Sequence, residues 1–212
     1  FKRSKAQENK KEFWRKYRER LTEEGKGNEK VKFFFGNCTE MGKEVLGQRY
    51  DAIGIVETKL REERMKIARE RFNLGGMKTA WVEAKATGEG ERERSGGVMV
   101  GAPFHRNLKR KEESGFPYSG AEWIAAECDI KHITISYIEA YMLSGGEFWH
   151  EENDKRRCEI TEYIKMKKRP FVIMADWNAD PEEISAEWLN YIGAEVVRPK
   201  GVALTCTSGK GR

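Results

Sequence analysis

Three strand-like apolar runs in this chain stop on an oxygen-bearing polar side chain, and this repetition limits its folds more than any other feature. IGIV (53–56) runs directly into Glu57, VIMA (172–175) into Asp176, and VKFFFG (31–36) into Asn37. A carboxylate at the last residue of a buried strand is costly unless it is paired or bound to a cation. Two such strands side by side would aim both carboxylates into one pocket beyond their C-terminal ends. Asn178, two residues past Asp176, falls on the same side if the backbone stays extended. Oxygen donors of this kind suit a hard cation such as Mg²⁺ or Mn²⁺. On residue type alone, Glu57 could also be a loop ion-pair partner and Asp176 a cap on the turn into Trp177. Three occurrences of one arrangement favour a shared site.

The remaining pattern alternates strands with helices. DAIGIVE (51–57) reads as a strand, with a short helix or turn, EMGKEVLGQRY (40–50), before it. Leu60, Met65, Ala68 and Phe72 mark a helix that stops near Asn73-Leu74-Gly75-Gly76. MKTAWVEA (77–84) and GGVMVGAP (96–103) are strands separated by a polar turn, and a basic loop follows over 105–119. AEWIAAECDI (121–130) and HITISYIEAYM (132–142) are joined only by Lys131, which predicts a tight hairpin. The second breaks strict alternation, so it carries a bulge or is buried on both faces. A charged helix over 148–166 precedes FVIMAD (171–176), whose continuous apolar run predicts a strand covered on both faces. Asp180-Pro181-Glu182-Glu183 resembles a helix start, with Ile184, Trp188 and Ile192 as its apolar stripe. The expected fold is an α/β (α+β) two-sheet β-sandwich flanked by helices.

Charge is unevenly placed. Residues 1–32 hold 12 basic and 6 acidic side chains, a balance of +6, whereas the other 180 hold 28 and 29, a balance of −1. Residues 1–30 therefore read as a basic helical arm, with Phe13, Trp14, Tyr17 and Leu21 at helical spacing. Such an arm can meet nucleic-acid phosphates or dock its apolar face on the body. No window nears eighteen consecutive apolar residues, which excludes a spanning helix, and the start has no secretory apolar core. Cys38, Cys128, Cys158 and Cys206 form no CxxC pair, so buried, unpaired thiols and a reducing, intracellular setting are expected, the nucleus included.

In order, the chain shows GN (36–37), IVETKL (55–60), SGGVMVGAP (95–103), ISYIEAYM (135–142) and IMADWNADP (173–181). This series resembles the endonuclease/exonuclease/phosphatase superfamily. That group spans apurinic/apyrimidinic endonucleases, deadenylases, inositol polyphosphate phosphatases and non-LTR retrotransposon endonucleases. The resemblance covers residues 31 to about 207 and implies a four-layered sandwich hydrolysing phosphoesters with Mg²⁺ or Mn²⁺. Carried residue by residue, it makes Glu57 the metal ligand and Asn37 part of the metal and phosphate pocket. Asp176 would position or deprotonate the attacking water, and Asn178 would orient the phosphate. Tyr141 matches the tyrosine that hydrogen-bonds a phosphate oxygen, with Tyr137 as runner-up. Gly96-Gly97 reads as a tight strand entry, not a phosphate cradle.

Two departures qualify the match. Some family members carry an aspartate where Thr39 stands, with Glu40 beside it. A segment like LTCTSGKGR (204–212) precedes two last strands in the family, which bear an aspartate and then an Asp-His pair. Here the histidines are His105, His132 and His150, none in that context. The expectation is an incomplete domain over 31–212, with the last strands missing, excised or processed from a longer chain such as a retroelement polyprotein. Nucleic acid is the expected partner, DNA ahead of RNA, given the arm and HRNLKRK (105–111), and a membrane is not. A phosphoinositide or other small-phosphoester phosphatase and a non-catalytic binding module are the alternatives on the same scaffold. This reading predicts little or no nuclease activity from residues 1–212; robust Mg²⁺-dependent cleavage, abolished by Glu57→Ala, would contradict it.

Overall fold

A computed structural model of the chain describes residues 31–37, 49–86, 94–110, 119–120, 122–130, 133–143 and 150–197. The arm expected over 1–30, the turn over 40–48, Thr39, Glu40, His132 and the segment 204–212 lie outside the described residues. The elements run β1 (Phe33–Asn37), β2 (Ala52–Val56), α1 (Glu62–Leu74), β3 (Met77–Val82), β4 (Lys85–Ala86), β5 (Arg94–Ser95) and β6 (Val98–Pro103). They continue with β7 (Ser119–Gly120), β8 (Trp123–Ile130), β9 (Ile133–Tyr141), α2 (Glu151–Lys167), β10 (Phe171–Asp176) and α3 (Ala186–Ile192).

Two four-stranded mixed sheets result, ordered β1-β2-β6-β3 and β10-β9-β8-β7, with β4 and β5 as a separate small hairpin. Each begins with a parallel pair, β1 with β2 and β10 with β9, and continues antiparallel. Alternation along the strands sorts side chains into three apolar layers. Ala52 and Val56 on β2, Val98 and Val100 on β6, Ile124, Ala126 and Cys128 on β8, and Tyr137 and Tyr141 on β9 fill the space between the sheets. Ile53 and Ile55 turn the other way onto Ala68 and Phe72 of α1. Trp123, Ala125, Ile138 and Ala140 turn outward onto Ile160, Tyr163 and Ile164 of α2 and Ile192 of α3. The order helix, sheet, sheet, helices is the α/β sandwich expected from the sequence. Burying each large aliphatic or aromatic side chain contributes about 1.5–3 kcal/mol.

Several local expectations are corrected. The β8–β9 ladder runs without a break from Trp123↔Ala140 to Ile130↔Ile133, so β9 has no bulge there; its broken alternation reflects burial on both faces. FVIMAD is covered on both faces as expected, Val172 and Met174 toward the inter-sheet layer and Phe171, Ile173 and Ala175 toward the helices, but its residues are only half-buried because β10 pairs with β9 alone among the described residues. Asp180 does not cap a helix. Its backbone N–H donates to Glu183 Oε2 at 2.9 Å and closes a turn, and Ser185 caps α3 by accepting from the Trp188 N–H at 3.2 Å. Cys128 is buried, its thiol pushed up to about 12 chiefly by desolvation, but Cys158 is exposed on α2 rather than buried.

One polar group sits in the inter-sheet layer. Glu139 on β9 is fully buried, and no aligned hydrogen bond reaches either carboxyl oxygen. The carboxyl lies against Gly54 of β2, where any Cβ would fall 1.6 Å from Glu139 Oε1. Burial pushes this acid well above the ordinary glutamate range, and Tyr137, whose hydroxyl donates to Met174 Sδ at 3.5 Å, opposes the shift only in part. The folded protein thus keeps a proton that the unfolded chain loses above about pH 4.3. Stability must fall as pH rises from there toward the folded value, by up to about 1.4 kcal/mol per pH unit. Glu139→Gln removes the titration. In urea unfolding, the variant should gain on the parent between pH 5 and pH 8 and match it more closely near pH 4; a difference independent of pH would refute the protonated state.

Candidate active site

The parallel pairs bring the polar strand ends together. In the first sheet Asn37 lies opposite Val56, one residue before Glu57. In the second, Asp176 lies opposite Tyr141. The two sheets meet at these ends, where Asn37 Nδ2 donates to Asp176 Oδ2 at 2.6 Å. Four C-terminal strand ends therefore open on one place, with Asn37 exposed, Glu57 and Asp176 half-buried and Tyr141 buried. Because the Asn37 amide nitrogen faces Asp176, its Oδ1 remains an oxygen donor of its own.

The backbone around the site is locally strained. Glu57 (φ 53°), Lys59 (φ 51°) and Asn178 (φ 48°) all occupy the left-handed region. Side chains other than glycine adopt it at a cost, with asparagine the most tolerant, and such residues gather at functional sites. What holds them is specific. Thr58 N–H donates to the Gly97 carbonyl at 3.0 Å and Lys59 N–H to the Gly96 carbonyl at 3.1 Å, so the turn after β2 is pinned to the entry of β6. Gly96 (φ 74°) and Gly97 (φ 83°) serve as that tight entry. On the other sheet, Asn178 Nδ2 donates to the Met142 carbonyl at 2.7 Å, and Met142 N–H donates to the Asp176 carbonyl at 2.9 Å. Trp177, between Asp176 and Asn178, packs edge-on against Trp188 of α3 at 5.7 Å and fixes the loop from below.

Tyr137, the runner-up to Tyr141, belongs to the core. It lies four residues up β9, about 13 Å away at the usual strand rise. There it is fully buried and stacks on Phe33 at 5.7 Å. His105 follows β6, whose antiparallel pairing with β2 puts it at the far end of the sandwich from Glu57. His150 uses its Nδ1 to cap α2, accepting from the Glu152 N–H at 3.3 Å.

Sequence reasoning missed the polar cluster beneath the site. Arg156, Asn153 and Glu122 are all nearly inaccessible, at 6%, 2% and 4%. Arg156 donates to the Tyr141 carbonyl at 2.9 Å and forms an ion pair with Glu122, while Asn153 Oδ1 accepts from the Leu143 N–H at 2.8 Å. The signal was present: 153, 156, 160 and 164 share one helical face, so Asn153 and Arg156 continue the buried stripe of Ile160 and Ile164.

The donor set fits a hard cation by type: the Glu57 and Asp176 carboxylates and the Asn37 amide oxygen supply oxygen alone. Among the described residues no three His, Cys, Asp or Glu side chains cluster as a metal cage. Any ion held here would complete its shell with water or substrate oxygens, as Mg²⁺ commonly does.

No protein-family model and no curated protein matches the chain. Solved structures do. The chain is similar to a 3′ phosphatase, NExo, from Neisseria bound to a product DNA hairpin, with 14% identity over 77% of this chain and 70% of that one and a TM-score of 0.49. It is similar to an endonuclease/exonuclease/phosphatase family protein from Leptotrichia buccalis, with 15% identity over 77% and 72% and a TM-score of 0.49. A third is the human Nocturnin catalytic domain with a bound sulfate anion, with 12% identity over 70% and 60% and a TM-score of 0.47.

The glycine pair gives a direct check on the site's geometry. A Cβ at Gly97 would fall 2.5 Å from Thr58 Oγ1 and 3.2 Å from Ala84 N, at a φ that side chains rarely adopt. Gly97→Ala should destabilise the protein by about 1–3 kcal/mol in urea unfolding; unchanged stability would show that the turn after Glu57 is not held in this way.

Proposed function

We propose that this chain is a member of the endonuclease/exonuclease/phosphatase superfamily and carries a divalent-metal-dependent phosphodiesterase site for nucleic acid. The observation that carries the reading is the Asn37–Asp176 hydrogen bond across the two sheets, next to Glu57. Those three residues, with Asn178 and Tyr141, are the ones that the resemblance to the family marks as functional.

In this reading Glu57 holds Mg²⁺ or Mn²⁺, with the Asn37 amide oxygen beside it. The bound ion supplies neutralisation of charge building on the phosphoryl oxygens. Asp176 orients the attacking water and accepts its proton, and Asn37 fixes the carboxylate rotamer by donating to its second oxygen. Asn178 keeps one amide hydrogen on Met142 and has the other for a phosphate oxygen. Tyr141, at the end of β9, is the residue whose hydroxyl would donate to the same phosphate. These are preorganised groups aimed at developing charge, the arrangement that contributes most to hydrolytic rates.

Nucleic acid is favoured as substrate by the charge asymmetry, with the +6 balance of residues 1–32 suited to phosphate backbones. DNA is the preferred form. No helix among the described residues is long and apolar enough to cross a membrane. An intracellular, nuclear setting and a longer polyprotein context belong to the same proposal, as does the division into a basic helical arm (1–30) and an endonuclease/exonuclease/phosphatase-like domain (31–212).

Mn²⁺ titration followed by water-proton relaxation tests the site without requiring turnover. The chain should bind Mn²⁺, and Glu57→Ala and Asp176→Ala should each weaken binding by at least about tenfold. Equal affinity in the parent and both variants would remove the metal site. For the substrate, DNA binding should weaken steeply between 50 and 200 mM salt, as expected when several phosphates are neutralised; binding insensitive to salt would contradict a polyanionic partner.

A further inference from the structure

The buried cluster beneath the strand ends has a role that the chemistry above does not use. Arg156 extends from α2 and makes four contacts with one guanidinium. Nη1 donates to the Tyr141 carbonyl at 2.9 Å and to Asn153 Oδ1 at 3.3 Å, and Nη2 meets Glu122 as an ion pair. Nη2 also reaches the exposed Glu152 at 3.4 Å. Asn153 Oδ1 in turn holds the Leu143 N–H, two residues past Tyr141. The end of β9 is thus gripped on both sides of Met142, the residue whose carbonyl accepts from Asn178.

Glu122 carries the grip to the other sheet. Its side chain lies directly on the Gly96 backbone: a Cβ there would fall 3.0 Å from Glu122 Oε1 and 3.1 Å from Cγ. The Gly96 and Gly97 carbonyls are those that pin Lys59 and Thr58, and so the turn that presents Glu57. A continuous path therefore runs from the Glu57 turn through Gly96, Glu122 and Arg156 to the Tyr141 carbonyl.

We infer that Arg156 and Glu122 form a positioning couple that sets the Glu57 turn of one sheet against the Tyr141–Leu143 end of the other. The inference rests on the phosphodiesterase reading of that site. Stability alone is a weak reason for a buried ion pair, because its desolvation cost can exceed its Coulomb gain and apolar replacements of similar volume are often no worse. Geometry is a stronger one. A planar fork with several fixed donors engages a carbonyl, an amide and a carboxylate at once, which neither lysine nor an apolar side chain can do. Neither residue touches the reacting groups, so both are positioning residues.

Amide hydrogen exchange on the full chain, read by NMR, tests this independently of turnover. In Arg156→Met, the amides of Leu143, Thr58 and Lys59 should exchange at least about tenfold faster, while those of Ala125 and Ile138 in the centre of the second sheet stay within about twofold. Arg156→Lys, which keeps the charge but not the fork, should restore protection of Thr58 and Lys59 more than that of Leu143. Should Arg156→Met not fold, Glu122→Gln, which keeps the shape and removes one charge, is read on the same amides, with Thr58 and Lys59 most affected. Uniform acceleration of all amides, or no local change, would overturn the couple. Mn²⁺ affinity measured alongside separates the two claims. A parent chain that binds no Mn²⁺ sinks the metal-site reading, whereas the exchange pattern alone decides the couple.

Discussion

The face-to-face approach of β2 and β9 is the constraint on which the rest of the molecule depends. These strands lie at inner positions of their sheets, and Gly54 lets the second sheet come close enough for the Glu139 carboxyl to occupy the space of a missing side chain. Once that distance is set, the parallel neighbours β1 and β10 follow by register, and their ends meet at Asn37 and Asp176. Moving either strand by one residue would reverse every side chain between core and exterior. The apolar layers therefore fix the meeting of the polar ends, which contribute little to holding the sheets together.

The two sheets are locked by different means at different depths. In the middle the contact is apolar apart from Glu139, and dispersion and burial supply the stabilisation. Near the strand ends it becomes polar, with Arg156, Glu122 and Asn153 buried behind the loops and Asn37 and Asp176 in front. Left-handed backbone at Glu57, Lys59 and Asn178 persists because this framework holds it. In the proposed reading this framework would hold dipoles and carboxylates in place ahead of a ligand, the condition under which they act most strongly on developing charge.

Much of this was legible in the residues. Alternation and β-branching marked the strands, and Ala68 and Phe72 marked the buried face of α1. The polar residues after VKFFFG, IGIV and VIMA marked the ends that the fold brings together. What could not be read was context. FVIMAD has the composition of an interior strand, and only sheet order shows that β9 is its one partner among the described residues. Ser185 and Asp180 are both good helix caps, and the choice between them depended on Glu183 folding back to close a turn. Arg156 stands in a helix so rich in charge that one more cation looks solvated, although its spacing from Ile160 and Ile164 marks the buried face. Glu139 carries no local sign of deep burial, and nothing near it in sequence shows that Gly54, 85 positions earlier, makes room for it.

The central claim is that Glu57 and the Asn37 amide oxygen hold a divalent cation beside the Asp176 carboxylate. Paramagnetic broadening by substoichiometric Mn²⁺ in a two-dimensional amide NMR spectrum tests it most directly, because the effect falls off steeply with distance from the ion. The account predicts that the Asn37 side-chain amide and the backbone amides of Thr58 and Trp177 disappear first. Earlier loss of the amides of Glu151, Glu152 and Asp154, the exposed acids of the first turn of α2, would contradict it and place the ion on an ordinary acidic surface.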